Sequence, residues 1–345
     1  RYDFFDGSFE GAITAPTGEM QVQIDAVPGL PALALHDARV RLWRGEIGAD
    51  FAGYVLKFEG RVADQPAIAG GVASLTIGCD DAWLDESLLA TYAGTGGAEG
   101  PEDLAGNVKP LLLGAPRFAR GELVDAVDNI YQLHDGPMEA VELAFDRLSR
   151  FDAAVGDYPD FAALDAAPVP SGKWATCLAG GYVRMGAAPD GLLSFHARGD
   201  NRGGSRASLP GAIIGRIASI RGAAGRVDGG SLAALDAACP WPLSVAVPTQ
   251  STARDQILSI AQSVNAVPVI SWLGTLHVLP VAIGAPLGTL AADGTSLPPV
   301  GRIEQLTVSP PWWRLAQQAA VTQTVHAPGD IAMYDFDATD ITYSD

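Results

Sequence analysis

The stretches Met20-Gln-Val-Gln-Ile-Asp-Ala-Val27 and Ala38-Arg-Val-Arg-Leu-Trp43 alternate apolar with polar side chains. Successive residues of a strand face opposite ways, so this period of two predicts strands with one buried face. Residues 54–62 and 72–78 follow at short intervals, separated by Pro, Gly and Asp. That spacing predicts an antiparallel sandwich or small barrel over roughly residues 15–90.

The pattern breaks at Thr91-Tyr-Ala-Gly-Thr-Gly-Gly-Ala-Glu-Gly-Pro101, which is too Gly-rich to pack as a strand. A phosphate-cradling loop needs Lys-Ser/Thr after its glycines and a helix aimed at the phosphate. Here the glycines run into Glu99 and Pro101. The better reading is a mobile or subunit-contacting loop, with Tyr92, Gly94, Gly96 and Gly97 as candidate contacts.

Beyond it, residues 129–134 predict a short strand ending at the turn Asp135-Gly136. Pro137-Met-Glu-Ala-Val-Glu-Leu-Ala-Phe-Asp-Arg147 fits a helix entered at Pro137, or a strand, because Val141, Leu143 and Phe145 alternate. Asp160 caps a predicted helix over 160–167. Strands follow at 172–178, 181–185 and 191–198. After the polar joint at 199–206, residues 213–220 read as helical. Residues 251–262 give the clearest helix, with Ser251 as its cap and Ile257, Leu258, Ala261 and Val264 on one face. A hairpin over Gly274 comes next, then β segments at 303–308, 311–315 and 319–325, and an acidic linker at 335–340.

The expectation is therefore a mainly β, multidomain chain with α+β insertions. Two barrel-like or sandwich regions, 1–115 and 206–345, flank a small α+β module at 116–205. With 40 Gly and 24 Pro, composition suits β-structure rich in turns. Hydrophobic residues at 48% against 18% charged exclude a disordered chain. The net charge of -18 argues against duplex binding and against docking on anionic lipid, both of which need cationic surfaces. No apolar run is long enough to span a bilayer, so stable membrane insertion is not expected. Cys79, Cys177 and Cys239 lie far apart with no CxxC pair, which points to free thiols in a reducing compartment. The first residue is Arg1, which suits a processed chain or a segment of a longer one.

A search for chemistry finds no Gly-x-Ser-x-Gly elbow, no His-Glu-x-x-His and no cysteine in a protease context. His36, His134, His196, His277 and His326 sit singly on or beside predicted strands, where a half-buried polar role is the plainer reading. Asp80, Asp81 and Asp85 form the densest acidic group and read as a solvated loop, without the ligand alternation of a calcium loop. Asp157 and Asp160 lack that alternation too. An iron–sulfur cluster would need three distant cysteine segments to converge. We therefore expect no catalytic residues, no cofactor and no metal. Trp312 and Trp313 adjoin Pro310-Pro311 on a predicted strand, so one of them should leave its own core and pack on a second domain or on another subunit.

The runs Val40-Arg-Leu-Trp-Arg-Gly45, Phe58-Glu-Gly-Arg-Val62, Ala82-Trp-Leu-Asp-Glu-Ser-Leu-Leu89, Tyr92-Ala-Gly-Thr-Gly-Gly97 and Lys109-Pro-Leu-Leu-Leu-Gly114 resemble, in that order, tail-tip and baseplate hub proteins of tailed bacteriophages. Tyr131-Gln-Leu-His-Asp-Gly136, Ala175-Thr-Cys-Leu-Ala179, Arg184-Met-Gly186 and the final Pro-Trp-Trp-Arg segment extend the likeness over about residues 38–325. The resemblance implies a homotrimeric ring whose two β-barrel-like domains per chain join a sixfold tail tube to a threefold tip. It implies distal tail, tail-tube, and tip or fibre proteins as neighbours. DNA would leave through the lumen without specific binding. It also implies assembly in the bacterial cytoplasm and residence in the virion, and it transfers no catalytic residues. The rival expectation is a carbohydrate-binding or carbohydrate-active β-protein using exposed aromatics and acids on a host-surface glycan. A peptidoglycan hydrolase is disfavoured by the lack of a metal or acid/base set.

Overall fold

A computed structural model of the chain describes residues 12–13, 15–24, 34–281, 323 and 331. In chain order the strands are β1 (Thr17–Gln23), β2 (Arg39–Arg44), β3 (Val55–Val62), β4 (Ala67–Ala69), β5 (Val72–Gly78), β6 (Leu111–Leu113), β7 (Glu122–Asp125) and β8 (Ile130–Gln132). Then come β9 (Met138–Asp146), β10 (Ser149–Arg150), β11 (Trp174–Cys177), β12 (Tyr182–Met185), β13 (Leu193–Asp200), β14 (Val245–Val247), β15 (Ala266–Ile270) and β16 (Leu276–Pro280). The helices are α1 (Phe161–Asp165), α2 (Pro210–Ile220), α3 (Gly229–Ala238) and α4 (Ala253–Ser263). Among the described residues strand outweighs helix by 34% to 20%, so the protein is mainly β. The segments at 303–308, 311–315 and 319–325, with Trp312 and Trp313, and the acidic linker lie outside the described residues, apart from the single position 323. Among the described residues no helix is long and apolar enough to cross a membrane.

One compact unit gathers Arg1–Trp83, Gly225–Cys239 and Arg254–Gln317, and a second gathers Leu84–Ala224, Pro240–Ala253 and Gln318–Asp345. Neither is a continuous stretch, whereas the sequence expectation was three consecutive regions.

The first unit is built on an antiparallel sheet of order β1-β5-β3-β2, with β4 also paired to β5. Alternation sends Ala73, Leu75 and Ile77 of β5, and Phe58 and Val62 of β3, into the core. Gly60 is required where β3 meets β5, because a Cβ there would lie 2.1 Å from the Gly78 carbonyl oxygen. The edge strand β2 departs from expectation. Val40 alone is partly covered, while Leu42 and Trp43 are exposed. A register shift between Leu42 and Trp43 bulges the strand and re-aims its side chains, which ends the simple inside–outside alternation.

Helix α3 packs on the hairpin β15–β16, whose turn places Gly274 at φ +73 as expected. The Asp228 N–H donates to the Leu276 carbonyl at 2.8 Å, and Ser231 Oγ accepts from the Val278 N–H at 3.2 Å. The sequence reading missed α3, whose first two residues are glycines. Its signal is Asp228, which accepts from the Ser231 N–H at 2.7 Å as an N-cap.

The second unit contains the sheets β11-β12-β8-β7, β10-β9-β13 and β14-β6. Residues 138–146 form a strand paired along β13, which settles the helix-or-strand alternative. Pairing with β13 buries Met138 and Ala144 beside Phe195 and Trp174. Trp174, Phe195, Leu133 and Met185 centre one core, and Tyr92, Ile130, Leu164 and Tyr182 centre another. Asp160 caps α1 as predicted, accepting from the Ala163 N–H at 2.8 Å. Helix α2 starts at Pro210 and buries Ile213, Ile214 and Ile217.

Candidate subunit interface

Tyr92 is buried at 2% exposure rather than presented to solvent. Its desolvated hydroxyl has no hydrogen-bond partner among the described residues, and burial pushes its pKa up. Lys109 Nζ lies over the Tyr92 ring at 5.4 Å from its centroid. The same ammonium donates to Glu99 Oε1 at 2.6 Å, and Glu99 Oε2 accepts from the Ala93 N–H at 3.0 Å. Those two bonds, Lys109 first, hold the Glu99 carboxyl below its ordinary pKa.

The glycines fold the loop around that carboxylate. Gly94, Gly96, Gly97 and Gly100 have φ of +68, +90, +59 and +68, a region that other residues rarely enter. The Gly94 N–H donates to the Glu99 carbonyl at 3.0 Å and the Gly96 N–H to the Gly100 carbonyl at 2.7 Å. Tyr182 adds a hydroxyl bond to the Ala98 carbonyl at 3.0 Å. Bonds within its own unit thus tie the loop together, which leaves open a role in subunit contact. Gly96 and Gly97 remain on its exposed surface.

The sequence reading did not single out an exposed aromatic row in the first unit. Trp43 of β2 stacks toward Phe51 with centroids 5.5 Å apart, and Phe51 toward Tyr54 at 5.4 Å. Phe51 is 63% exposed and Ile47, on the loop between them, is fully exposed. Arg39, Arg41 and Arg44 accompany this row on β2, with no carboxylate on the strand. Arg39 and Arg41 both pair with Glu59 of β3. An aromatic row beside guanidinium groups on an edge strand has the composition of a protein-binding surface. The signal was the pair Leu42-Trp43, two adjacent large apolar residues that cannot share one face of a strand.

A polar cleft of about 340 Å³ in the first unit is lined by Arg39, Glu59, Arg61, Asp80 and Arg226. Asp80 pairs with Arg226 at 2.9 Å and Arg61 at 3.3 Å, while Asp81 pairs with Arg254 at 2.7 Å. This acidic group is therefore a set of arginine partners. In the second unit, Asp125, Asp128 and Asp165 bring carboxylate oxygens within 4.8 Å of one another. Arg184 is their counter-charge, paired with Asp128 and donating to the Leu164 carbonyl at 3.0 Å.

The side chains of His134 and Asp200 are fully enclosed, at 0% exposure each. His134 Nδ1 accepts from the Leu112 N–H at 3.1 Å, so the ring proton sits on Nε2 and faces Asp200 Oδ2 at 3.3 Å. That approach is electrostatic, without the alignment of a good hydrogen bond. Burial holds the His134 pKa down. Against its own burial, Asp200 is held at about 2 by His134 and by Arg202 and Arg216. With one nitrogen bonded to backbone and the other protonated toward Asp200, the ring offers no free lone pair to a substrate. Its place is structural.

The cysteines are separate. Cys79 donates to the Ser271 carbonyl at 3.3 Å, and burial raises its thiol to about 11. Burial raises Cys177 as well. A raised thiol pKa suppresses the nucleophilic thiolate at neutral pH. No known protein family matches the chain, and no curated protein matches it.

Proposed function

We propose that this chain is a structural component of a phage tail tip or baseplate, a homotrimeric hub ring that joins the sixfold tail tube to the threefold tip. The observation that carries the reading is the Trp43–Phe51–Tyr54 row, which runs from the edge strand β2 into the turn before β3, with Trp43, Ile47 and Phe51 exposed and arginines along β2. An edge strand with exposed aromatics is an aggregation hazard unless another chain covers it. The hub reading supplies that cover, from a neighbouring subunit or a tail protein. Gly96 and Gly97 on their self-ordered loop, with Trp312 and Trp313, are further proposed contacts. In this reading two barrel-like domains from each chain form the ring wall. The charge of -18 then suits an exit channel past which DNA slides without sticking. Distal tail, tail-tube and tip or fibre proteins are its neighbours, in a virion assembled in bacterial cytoplasm.

Light scattering on the eluted protein, with class averages of negatively stained particles, tests this directly. The expected result is a threefold ring at about 10 µM protein. A monomer at that concentration, with no symmetric particle in the images, overturns the proposal.

A further inference from the structure

Every residue from 41 to 53 is exposed, a run that takes in the end of β2, the turn after it and the short helical turn Phe51–Gly53. Nearer the sheet, Phe58, Gly60 and Val62 of β3 are buried. The β2–β3 hairpin therefore leaves the core of the first unit as an arm, with Trp43, Ile47 and Phe51 toward its far end.

The arm is held by its own bonds. The Ala49 N–H donates to the Glu46 carbonyl at 3.1 Å, and the Tyr54 N–H to the Phe51 carbonyl at 3.0 Å. Asp50 caps the helical turn by accepting from the Ala52 N–H at 3.2 Å. Tyr54 lies so close over Gly45 that a Cβ there would overlap its ring. An apolar tip fixed before binding loses little entropy when a partner covers it.

Its charge is opposite to that of the chain. Strands β2 and β3 carry five cations, Arg39, Arg41, Arg44, Lys57 and Arg61, against the single carboxylate of Glu59. The whole chain has 22 cations against 40 carboxylates. The register sets Arg39 opposite Arg61 and Arg41 opposite Glu59. These four share one face of the sheet, turned away from the buried Phe58, Gly60 and Val62.

That mixture of groups selects the occupant. A nucleic acid or an anionic membrane offers uniform negative charge, and Glu46, Asp50 and Glu59 interrupt the arm's cations against it. A protein surface can place its own charges to suit both signs and cover the aromatics as well. An arm meeting its own copy across a twofold axis would set arginine against arginine, which like-charge repulsion opposes. The acidic remainder of the chain has the matching sign, and about 0.15 M salt screens the net repulsion between two chains beyond about 8 Å. We infer that the β2–β3 arm docks head-to-tail on an acidic surface of a second copy of this chain. Trp43 and Phe51 are its apolar anchors, and Arg41 and Arg44 are the charges that select the surface. A contact with different surfaces on its two sides closes into a ring or runs on as a filament. The inference rests on the hub reading for closure, and adds which surface is offered and to what.

The test uses the full chain with Arg41→Glu and Arg44→Glu together, and with Arg44→Glu alone should the double variant unfold. Both positions are exposed, so the unfolding midpoint should stay near that of the wild type. Sedimentation of the variant alone should show self-association weakened about tenfold or more for the pair, and about threefold or more for the single change. Mixed in excess with fluorescently labelled wild type, either variant should still bind it, because it keeps the acidic surface that a wild-type arm needs. An arm-to-arm contact would lose that binding too. Undiminished self-association of the variants, loss of their binding to wild type, or oligo(dT) bound by wild type and released by the reversal would each overturn the inference. A wild-type ring that the reversal leaves intact sinks it while the hub reading stands, whereas a wild type that stays monomeric overturns both.

Discussion

Ten of the fourteen large apolar residues left exposed among the described residues fall in the first unit, including Leu42, Trp43, Ile47, Phe51, Val55 and Trp272. The second unit leaves only Leu123, Val127, Val155 and Trp241 exposed, and it encloses Asp200 and His134 completely. The extremes of the ion pairs follow the same division, although Arg198 of the second unit is 43% exposed and Arg254 of the first only 22%. Arg39, Arg61 and Arg226 of the first unit sit in ion pairs with side chains 43–62% exposed, whereas Arg216 of the second is 14% exposed against a fully buried partner. Exposed pairs are screened by water and salt and hold little together. The second unit is finished by its own contacts. The first presents apolar surface among its described residues, which the proposed hub ring would cover with a neighbour.

The largest effect should come from breaking the enclosed network. Asp200→Ala strips Arg202, Arg216 and His134 of their common partner and leaves Arg216 largely buried without it. A buried pair broken on one side costs about 3–5 kcal/mol, to be read as a fall in the denaturant midpoint. The matching change in the first unit, Asp37→Ala, removes a partner of Arg61 that is 66% exposed, and should shift stability by about 0.5 kcal/mol or less. Equal effects from the two would erase the contrast between the units.

Trp43→Ala should separate folding from assembly. Trp43 is 43% exposed, so its loss should barely move the unfolding midpoint of an isolated chain. If the aromatic row is an interface anchor, the same change should weaken self-association by about 2 kcal/mol, roughly thirtyfold in dissociation constant. Sedimentation over a dilution series reads this. Unchanged association, or a large loss of monomer stability, would place Trp43 in a core instead.

Acid should then distinguish the units. Asp200 titrates at about 2 in the folded chain against about 3.8 in an ordinary carboxyl, so its stabilisation is present above the higher value and is lost as pH falls from about 4 through 2. The size of this loss is on the order of 2 kcal/mol. His134 acts earlier and in the same direction. Its folded pKa is depressed, so stability begins to fall as pH drops below about 6.5, where the unfolded ring takes up a proton that the buried one refuses. Asp200→Asn should remove the lower limb of a stability–pH curve and leave the limb that begins below about 6.5. A curve flat from pH 7 to 3 would contradict the enclosed network.

How far these contrasts were legible follows from their physics. Strand alternation located β1, β3 and β5, and N-cap chemistry located α1, because both are local signals that tertiary packing reinforced. The exposure of β2 was barely legible, since Ala38 to Leu42 alternates well and the adjacent pair Leu42-Trp43 is the one local sign of the bulge. Helix α3 hid behind Gly229-Gly230, with only the Asp228 cap to mark it. The Asp200 network draws its members from 134, 200, 202 and 216, separations that only the fold brings together. Composition correctly assigned the excess of Gly to turns. It could not say which glycines organise themselves.

That last point yields the smallest effect and the finest test. In the loop after Tyr92, the Glu99 carboxylate takes both the Lys109 ammonium and the Ala93 N–H, and the Glu99 carbonyl takes the Gly94 N–H. Glu99→Gln keeps an oxygen for Ala93 and removes the charge that Lys109 needs. Because the Glu99 side chain is 37% exposed, solvent screens the pair, and the cost should be about 1 kcal/mol or less. Hydrogen exchange at the Ala93 and Gly94 amides should quicken about fivefold, the equivalent of 1 kcal/mol, while the Phe195 amide in the core stays protected. A loop ordered by its own unit shows this change equally in monomer and assembly. A loop held by a neighbour shows it in the monomer alone, which would move residues 92–101 across the divide and into the surface that the first unit already presents.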